Sequence, residues 1–312
     1  MTSVHLLGAV ATWLMPPGLA FVGALATVAG VYLLYALLKL FRPRLAAIAA
    51  TTAREGVSQP LFIVLLIVGA MALLAFPFVP YHTFGEDVAV VKDTGRTLIM
   101  VQAILLALWT ASISIADEIE GRTAITLLSK PVGRREFILG KFIGILGPVV
   151  VLFVALGTLY LASVSYKVVY DAKELSLPDP TYAQCRDEML GTLPALVLAF
   201  MEVVVLASIS VAISTRLSML ANLTICAAIY ALGHLVPSLV ESAAGRFEIL
   251  LFVGQLIATI LPVLVNFDVQ AAIVSGQSIP LSYLGVAAVY CVAYSAAGLL
   301  FALLLFEDRD LA

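Results

Sequence analysis

Apolar positions in this chain gather into long uninterrupted runs, and the polar positions gather between them. Seven runs have the length at which a helix crosses hydrocarbon, roughly 20 residues for a core about 30 Å thick. They are 19–38, 61–79, 97–116, 142–165, 192–213, 219–239 and 283–306. Each predicts a membrane helix. Pro16-Pro17 sets the start of the first, and Pro148 is placed to kink the fourth. An eighth apolar run, 247–265, admits two readings, a full crossing or a segment that enters and leaves on one side. Pro262, Asn266 and Asp268 mark the return of a re-entrant segment over 247–268. Barrel strands would alternate over about ten residues instead, so the predicted fold class is an all-α integral membrane bundle.

Lys and Arg near the ends of the runs orient the chain. Lys39, Arg42, Arg44, Arg54, Arg122, Lys130, Arg134, Arg135, Lys141, Arg216 and Arg309 fall on one side. Lys92, Arg96, Lys167, Lys173, Arg186 and Arg246 fall on the other. The richer side is predicted to be cytosolic, which leaves the N-terminus outside and the C-terminus in the cytosol of a multi-pass protein of the cell membrane. Full crossing by 247–265 would invert the C-terminus, so the re-entrant reading is preferred. The first charged side chain is Lys39. A secretory signal carries its basic residues before the apolar stretch, so the first run is expected to remain as a membrane helix.

Composition agrees with this picture. The chain is 62% hydrophobic and 12% charged, with a mean hydropathy of +1.09, against roughly 25% charged in soluble domains. The net charge of −3 and the lack of a basic patch interleaved with aromatics give no sign of a nucleic-acid partner. Cys185, Cys226 and Cys291 have neither an even count nor C-x-x-C spacing, which argues against a disulfide framework or a thiolate metal site. His5, His82 and His234 form no i, i+4 ligand pair, and no metal site is expected.

Two polar segments stand out. Residues 42–60 repeat Leu45, Ile48, Ala49 and Thr52 at helical spacing beside Arg42, Arg44, Arg54 and Glu55, which suggests a helix in the membrane interface; a plain connector is the other reading. Residues 117–141 carry Asp117, Glu118, Glu120, Arg122, Lys130, Arg134, Arg135, Glu136 and Lys141. Ile119, Thr123, Ile125, Leu127 and Leu128 alternate with those charges in a helix-compatible pattern. Pro131 then stops the helix, and a new one starts at Arg134. A helix this short is unstable alone. Leu127 and Leu128 therefore need a surface, either the bundle and lipid interface or a groove on a soluble partner.

The segment resembles the cytosolic loop of ABC-2 type transporter permeases. Glu118, Glu120, Gly121, Thr123, Leu127-Leu128-Ser129, Pro131, Arg134 and Gly140-Lys141 carry the likeness. Arg122 between Gly121 and Thr123, and Ala124-Ile125-Thr126 where an acid often sits, depart from it. The likeness is strong over about 25 residues and extends weakly through 42–60 and the LLFEDRDL ending. It implies a six-helix core over 61–312, an elbow helix at 42–60 and an extra membrane helix within 1–41. It also implies that 117–141 is a coupling helix docked on a separate ABC ATP-binding subunit. Glu118, Glu120, Gly121, Arg122, Thr123, Leu127, Leu128, Lys130, Pro131 and Arg134 would form the docking surface. ATP and Mg would then sit in that partner, with no cofactor in this chain, and a second permease subunit, identical or related, would complete a pathway surrounded by lipid. Gly133, Gly140 and Lys141 do not make a phosphate loop, because the spacing is wrong and Phe142 follows the lysine. Such a permease is not itself an enzyme.

Glu202, within the fifth run, is a candidate intramembrane polar site, because a carboxyl at that depth is costly and by default functional. An ion-coupled secondary transporter built on Glu202 and a non-transporting membrane scaffold are the alternative functions. Gly140 and Gly144 suit close helix packing. Asn222-Leu223-Thr224 matches a glycosylation sequon, but within an apolar run it reads as chance. The outer segment 167–189, with Pro178 and Pro180, reads as a solvated connector or a gate.

Overall fold

Proline and the extended residues before it set the first breaks in the chain. In the computed structural model, which describes residues 2–79, 81, 87–117, 133–176, 178–243, 252, 254, 256 and 260–307, helix α1 (Thr2–Phe41) ends at Arg42. Pro43 then occupies the first turn of α2 (Pro43–Ser58), where its missing N–H costs nothing. Gln59 is extended, as a residue before proline prefers, and Pro60 opens α3 (Pro60–Ala75). The Trp109 indole N–H donates to Gln59 Oε1 at 2.6 Å and fixes the corner. Helix α1 runs through Pro16 and Pro17 rather than starting after them.

The remaining elements are α4 (Asp87–Ala111), continued by a π-helical turn over Ser112–Asp117, then α5 (Arg134–Glu174), α6 (Tyr182–Gly191), α7 (Leu193–Ser214) and α8 (Met219–Ala243). A 3-10 turn at Leu264–Phe267, the short α9 (Gln270–Val274) and α10 (Leu281–Glu307) complete the fold. Among the described residues there is no strand, and six helices are long and apolar enough to cross a membrane. The fold is therefore an all-α polytopic membrane bundle. Helix α8 is a seventh long helix, with a shorter apolar stretch at Met219–Leu235. Most of 247–260 lies outside the described residues. The backbone at 261–269 is irregular around the 3-10 turn, with Leu264, Phe267 and Val269 buried.

Helix α5 is the mast of the bundle. Its 41 residues measure about 60 Å at 1.5 Å per residue, twice the hydrocarbon thickness, and it touches α1, α2, α3, α4, α6, α7 and α10. Helices α4 and α7 pack against it and against each other, burying Ile99, Leu106, Leu152, Leu156, Leu198 and Leu206. Helices α1, α3 and α10 keep broad apolar faces outward, for example Ile67 and Met71 on α3 and Val289 and Phe301 on α10. In lipid such faces are solvated. Helix α1 leans on α5 and encloses, with α5 and α7, an apolar cleft of about 690 Å³ lined in part by Gly23, Phe153 and Phe200.

Two helices extend further than their apolar runs. Helix α4 starts at Asp87, ten residues before the apolar run at Thr97, and α5 starts at Arg134, as the sequence predicted, and continues past the apolar run to Glu174. Asp87, Lys92, Asp93, Arg96, Lys167 and Asp171 in these extensions are paired within the fold, so they do not end the helices. The outer segment 167–189 is folded, not a solvated connector: it holds the end of α5 and α6, with Lys167, Cys185 and Met189 buried.

Helix α2 lies along the base of α5, and glycine sets their separation. A Cβ on Gly140 would come within 2.9 Å of Ile48, and one on Gly144 within 2.8 Å of the Ala49 carbonyl oxygen and 2.6 Å of Thr52 Cβ. Further along, Pro148 Cγ fills the notch left by Gly56. The two helices advance in step, 48 with 140 and 56 with 148. Gly144→Ala is expected to force α2 away from α5 and to lower stability by about 1–3 kcal/mol. Thermal unfolding in detergent micelles checks this, with Gly133→Ala, where nothing lies within 4 Å, as the control.

Candidate functional site

Polar side chains form three layers along the bundle. At the end that carries the polar loop, inner by the Lys and Arg bias of the sequence, the π-helical turn Ser112–Asp117 precedes the 118–132 segment, and α5 starts at Arg134. Arg134 is exposed, and the Gly133 N–H donates to Glu136 Oε2 at 3.4 Å at the helix start. Glu118, Glu120, Gly121, Arg122, Thr123, Leu127, Leu128, Lys130 and Pro131 lie outside the described residues. The frame that would hold them is described. Phe137 on α5 stacks on Phe306 of α10, centroids 5.5 Å apart, and Lys141 Nζ lies 5.7 Å above the Phe137 ring.

Asn222 ties this inner frame together. Its Nδ2 lies 2.8 Å from Ser112 Oγ on the π-turn, 2.8 Å from Ser210 Oγ and 3.1 Å from Ser214 Oγ on α7. The Cys226 thiol donates to Oδ1 at 3.3 Å. An amide has two N–H groups and one carbonyl oxygen, so every hydrogen-bonding atom of Asn222 is engaged and none faces hydrocarbon. With 0% of its surface exposed, Asn222 is no glycosylation site. Sequence reasoning dismissed the sequon correctly and missed the hub. The one signal it offered was an Asn in an apolar run, where an unsatisfied amide would be costly. π-turns often mark functional positions in helices, and this one joins the polar loop to α7 and α8 through a single side chain.

At the opposite end lies a layer of paired charges. Lys167 on α5, 1% exposed, lies 2.8 Å from Asp171 and 3.4 Å from Asp87 at the start of α4, with the Tyr81 and Tyr170 rings 5.7 and 5.2 Å from its ammonium. Lys92 pairs with Glu188 of α6. Arg96, 4% exposed, lies 3.2 Å from Asp268 and 3.5 Å from Asp93. Gln270 Nε2 donates to Asp93 and the Gln270 N–H to Asp268, both at 3.0 Å. The return segment before α9 is thereby keyed to α4. Tyr160 on α5 donates to the Lys92 carbonyl at 2.7 Å.

Glu202 lies between these layers, on α7, with 1% of its surface exposed. His234 on α8 is its near neighbour, with Nε2 3.5 Å from Glu202 Oε1. Among the described residues Glu202 Oε1 has no hydrogen-bond partner. Arg96 and Asp268 supply the charges it feels. Sequence reasoning singled out Glu202 but weighed His234 only as a metal ligand. The two are 32 positions apart on different helices, so spacing could not join them. Among the described residues no group of three or more His, Cys, Asp or Glu could hold a metal ion, and all three cysteines are buried and free.

These features define an all-α, multi-pass membrane protein. The family model for "ABC-2 family transporter protein" matches residues 70–311, and the chain belongs to that family. The match takes in α4 to α10 and the polar loop, and leaves α1, α2 and most of α3 before it. No curated protein matches the chain.

Breaking the outer layer should be costly, because removing one partner strands the others. Lys167→Met is expected to lower stability by about 3–5 kcal/mol. Adding Asp87→Asn and Asp171→Asn should recover part of the loss; unfolding temperatures of the three proteins check this. Asn222→Leu should cost about 1–2 kcal/mol, since hydrogen bonds between membrane helices are individually modest. It should also raise amide exchange in the Ser112–Asp117 turn above that of the α5 core.

Proposed function

We propose that this chain is the membrane-spanning permease half of an ATP-driven ABC exporter. A separate ATP-binding subunit docks on the 117–141 loop and hydrolyses ATP with its own Mg. A second permease chain, identical or related, completes the pathway. The N-terminus lies outside and the C-terminus in the cytosol.

The placing of the loop carries this reading. It connects α4 to α5, the two helices that pack at the centre of the bundle. One end of it is the π-turn anchored by Asn222, and the other is the α5 base braced by α2 and Phe306. A push on the loop at Leu127 and Leu128 would be delivered to the end of α4 and the start of α5, and through Asn222 to α7 and α8. Membership of the ABC-2 family supports a transporter subunit, and the loop's acid, Gly, Leu-Leu-Ser and Pro pattern supports docking on an ATPase. Charges at Glu118, Glu120, Arg122 and Arg134 would set the register of docking by complementarity.

Co-purification with the candidate ATPase tests the proposal. Leu127→Asp/Leu128→Asp should abolish recovery of the ATPase while the permease reaches the membrane in normal amount. Equal recovery with wild type would overturn the docking role.

A further inference from the structure

We infer that Glu202 and His234 form a proton-binding site inside the membrane, holding one proton between Oε1 and Nε2 and clasping α8 to α7 while it is bound. The inference goes beyond the transporter reading and does not depend on the ATPase. It starts from the tautomer. His234 Nδ1 lies 3.1 Å from the Tyr230 carbonyl oxygen. A carbonyl only accepts, so Nδ1 carries hydrogen and donates. In the neutral ring Nε2 then has a lone pair, and that lone pair is what sits 3.5 Å from Glu202 Oε1. Two lone pairs facing each other repel. The contact is attractive only when a proton lies between them, on the carboxyl or on the ring.

Transfer within the pair is balanced. The Glu202 O–H bond breaks as the Nε2–H bond forms, and the O–H electron pair stays on the carboxylate. When the proton leaves the pair for water, the carboxylate and the lone pair remain opposed. His234 is a quarter exposed on its side chain, Glu202 1%, so the proton exchanges past the imidazole.

Neighbouring groups leave the proton to this pair. Arg96 of α4 and Asp268 of the 261–269 segment are the charged groups near enough to act on Glu202 electrostatically, and they are paired with each other, Arg96 also with Asp93. On α8, Tyr230 stacks beside His234 with centroids 4.7 Å apart. From α10, the Cys291 thiol donates to the Met201 carbonyl oxygen at 3.4 Å and Tyr290 hydroxyl accepts from the Val263 N–H. Immediately before His234 on α8, Gly233 packs against the Pro262 carbonyl oxygen and Leu264, where a Cβ would come within 2.8 Å of each. Movement of α8 off Glu202 would therefore also disturb the return segment that Arg96 holds.

Carbethoxylation of the full chain in lipid nanodiscs tests this, because diethyl pyrocarbonate attacks an imidazole nitrogen through a free lone pair. Wild type, Glu202→Gln and Glu202→Met are labelled and His234 is quantified by mass spectrometry against His5 and His82 in the same digest. Wild type should label slowly. The Gln variant should also be slow, since its amide N–H donates to Nε2. The Met variant, similar in size and without a donor, should label on the order of tenfold faster, the equivalent of one hydrogen bond to a charged or polar group. With rising pH, His234 labelling relative to the references should climb in wild type and stay flat in the Gln variant, an arm that stands even if the Met variant misfolds. A Met variant as slow as wild type, a Gln variant as fast as Met, or the same pH profile in wild type and Gln would each overturn the inference.

Discussion

A polar group at membrane depth must find its partner inside the protein, because hydrocarbon offers none. That constraint arranges this bundle. The Asn222 knot engages both ends of one amide at the inner side. The outer layer surrounds Lys167 and Arg96 with carboxylates from other elements. Each knot draws on at least two helices distant in sequence, so each also fixes how those helices lie. Apolar packing fills the space between but is less directional, since lipid solvates Leu and Val as well as a neighbouring helix does.

Glycine supplies the second kind of specificity. Where two helices must come close without a polar tie, a missing Cβ allows it. The α2–α5 seam at Gly140, Gly144 and Gly56 does this on the inner side, and Gly298 of α10 against Ser208 of α7 does it deeper in the bundle. Dispersion contacts strengthen steeply at short range, so the seam holds α2 to α5 through many small terms. The consequence is that α2 lies close on α5 and α10 close on α7, while α1, α3 and the far face of α10 present apolar side chains outward.

The apolar runs made most membrane helices legible, since a run of Leu, Val, Ile and Ala of that length has few other fates. Helix ends were not legible from hydropathy. Asp87, Lys92, Asp93 and Arg96 look like a loop when read alone, and they become part of α4 only because Lys167, Glu188 and Asp268 are there to meet them. Asp268 lies 172 positions from Arg96. Gly140 and Gly144 announced a close contact but not that α2 would make it. For the candidate site, Glu202 was legible by its cost, whereas His234 and Asn222 were not, because their meaning lies in partners on other helices. Of the residues expected to dock an ATPase, Arg134 is the one that lies within the described chain, at the exposed start of α5.

The three polar layers differ in how fully they are satisfied, and that difference separates scaffold from moving part. Asn222 has a partner for each hydrogen-bonding atom, and Lys167 has two carboxylates within 3.4 Å. Such knots hold one arrangement and resist leaving it. Glu202 has one neighbour at 3.5 Å and an oxygen with no hydrogen bond. An interaction that rests on a single shared proton can be switched without breaking either of those knots. The α7–α8 contact at Glu202 is where a change of state can enter: α8 is tied to the frame by Asn222 near its start, and Gly233, the residue before His234, carries any movement there to Leu264 and the 261–269 segment.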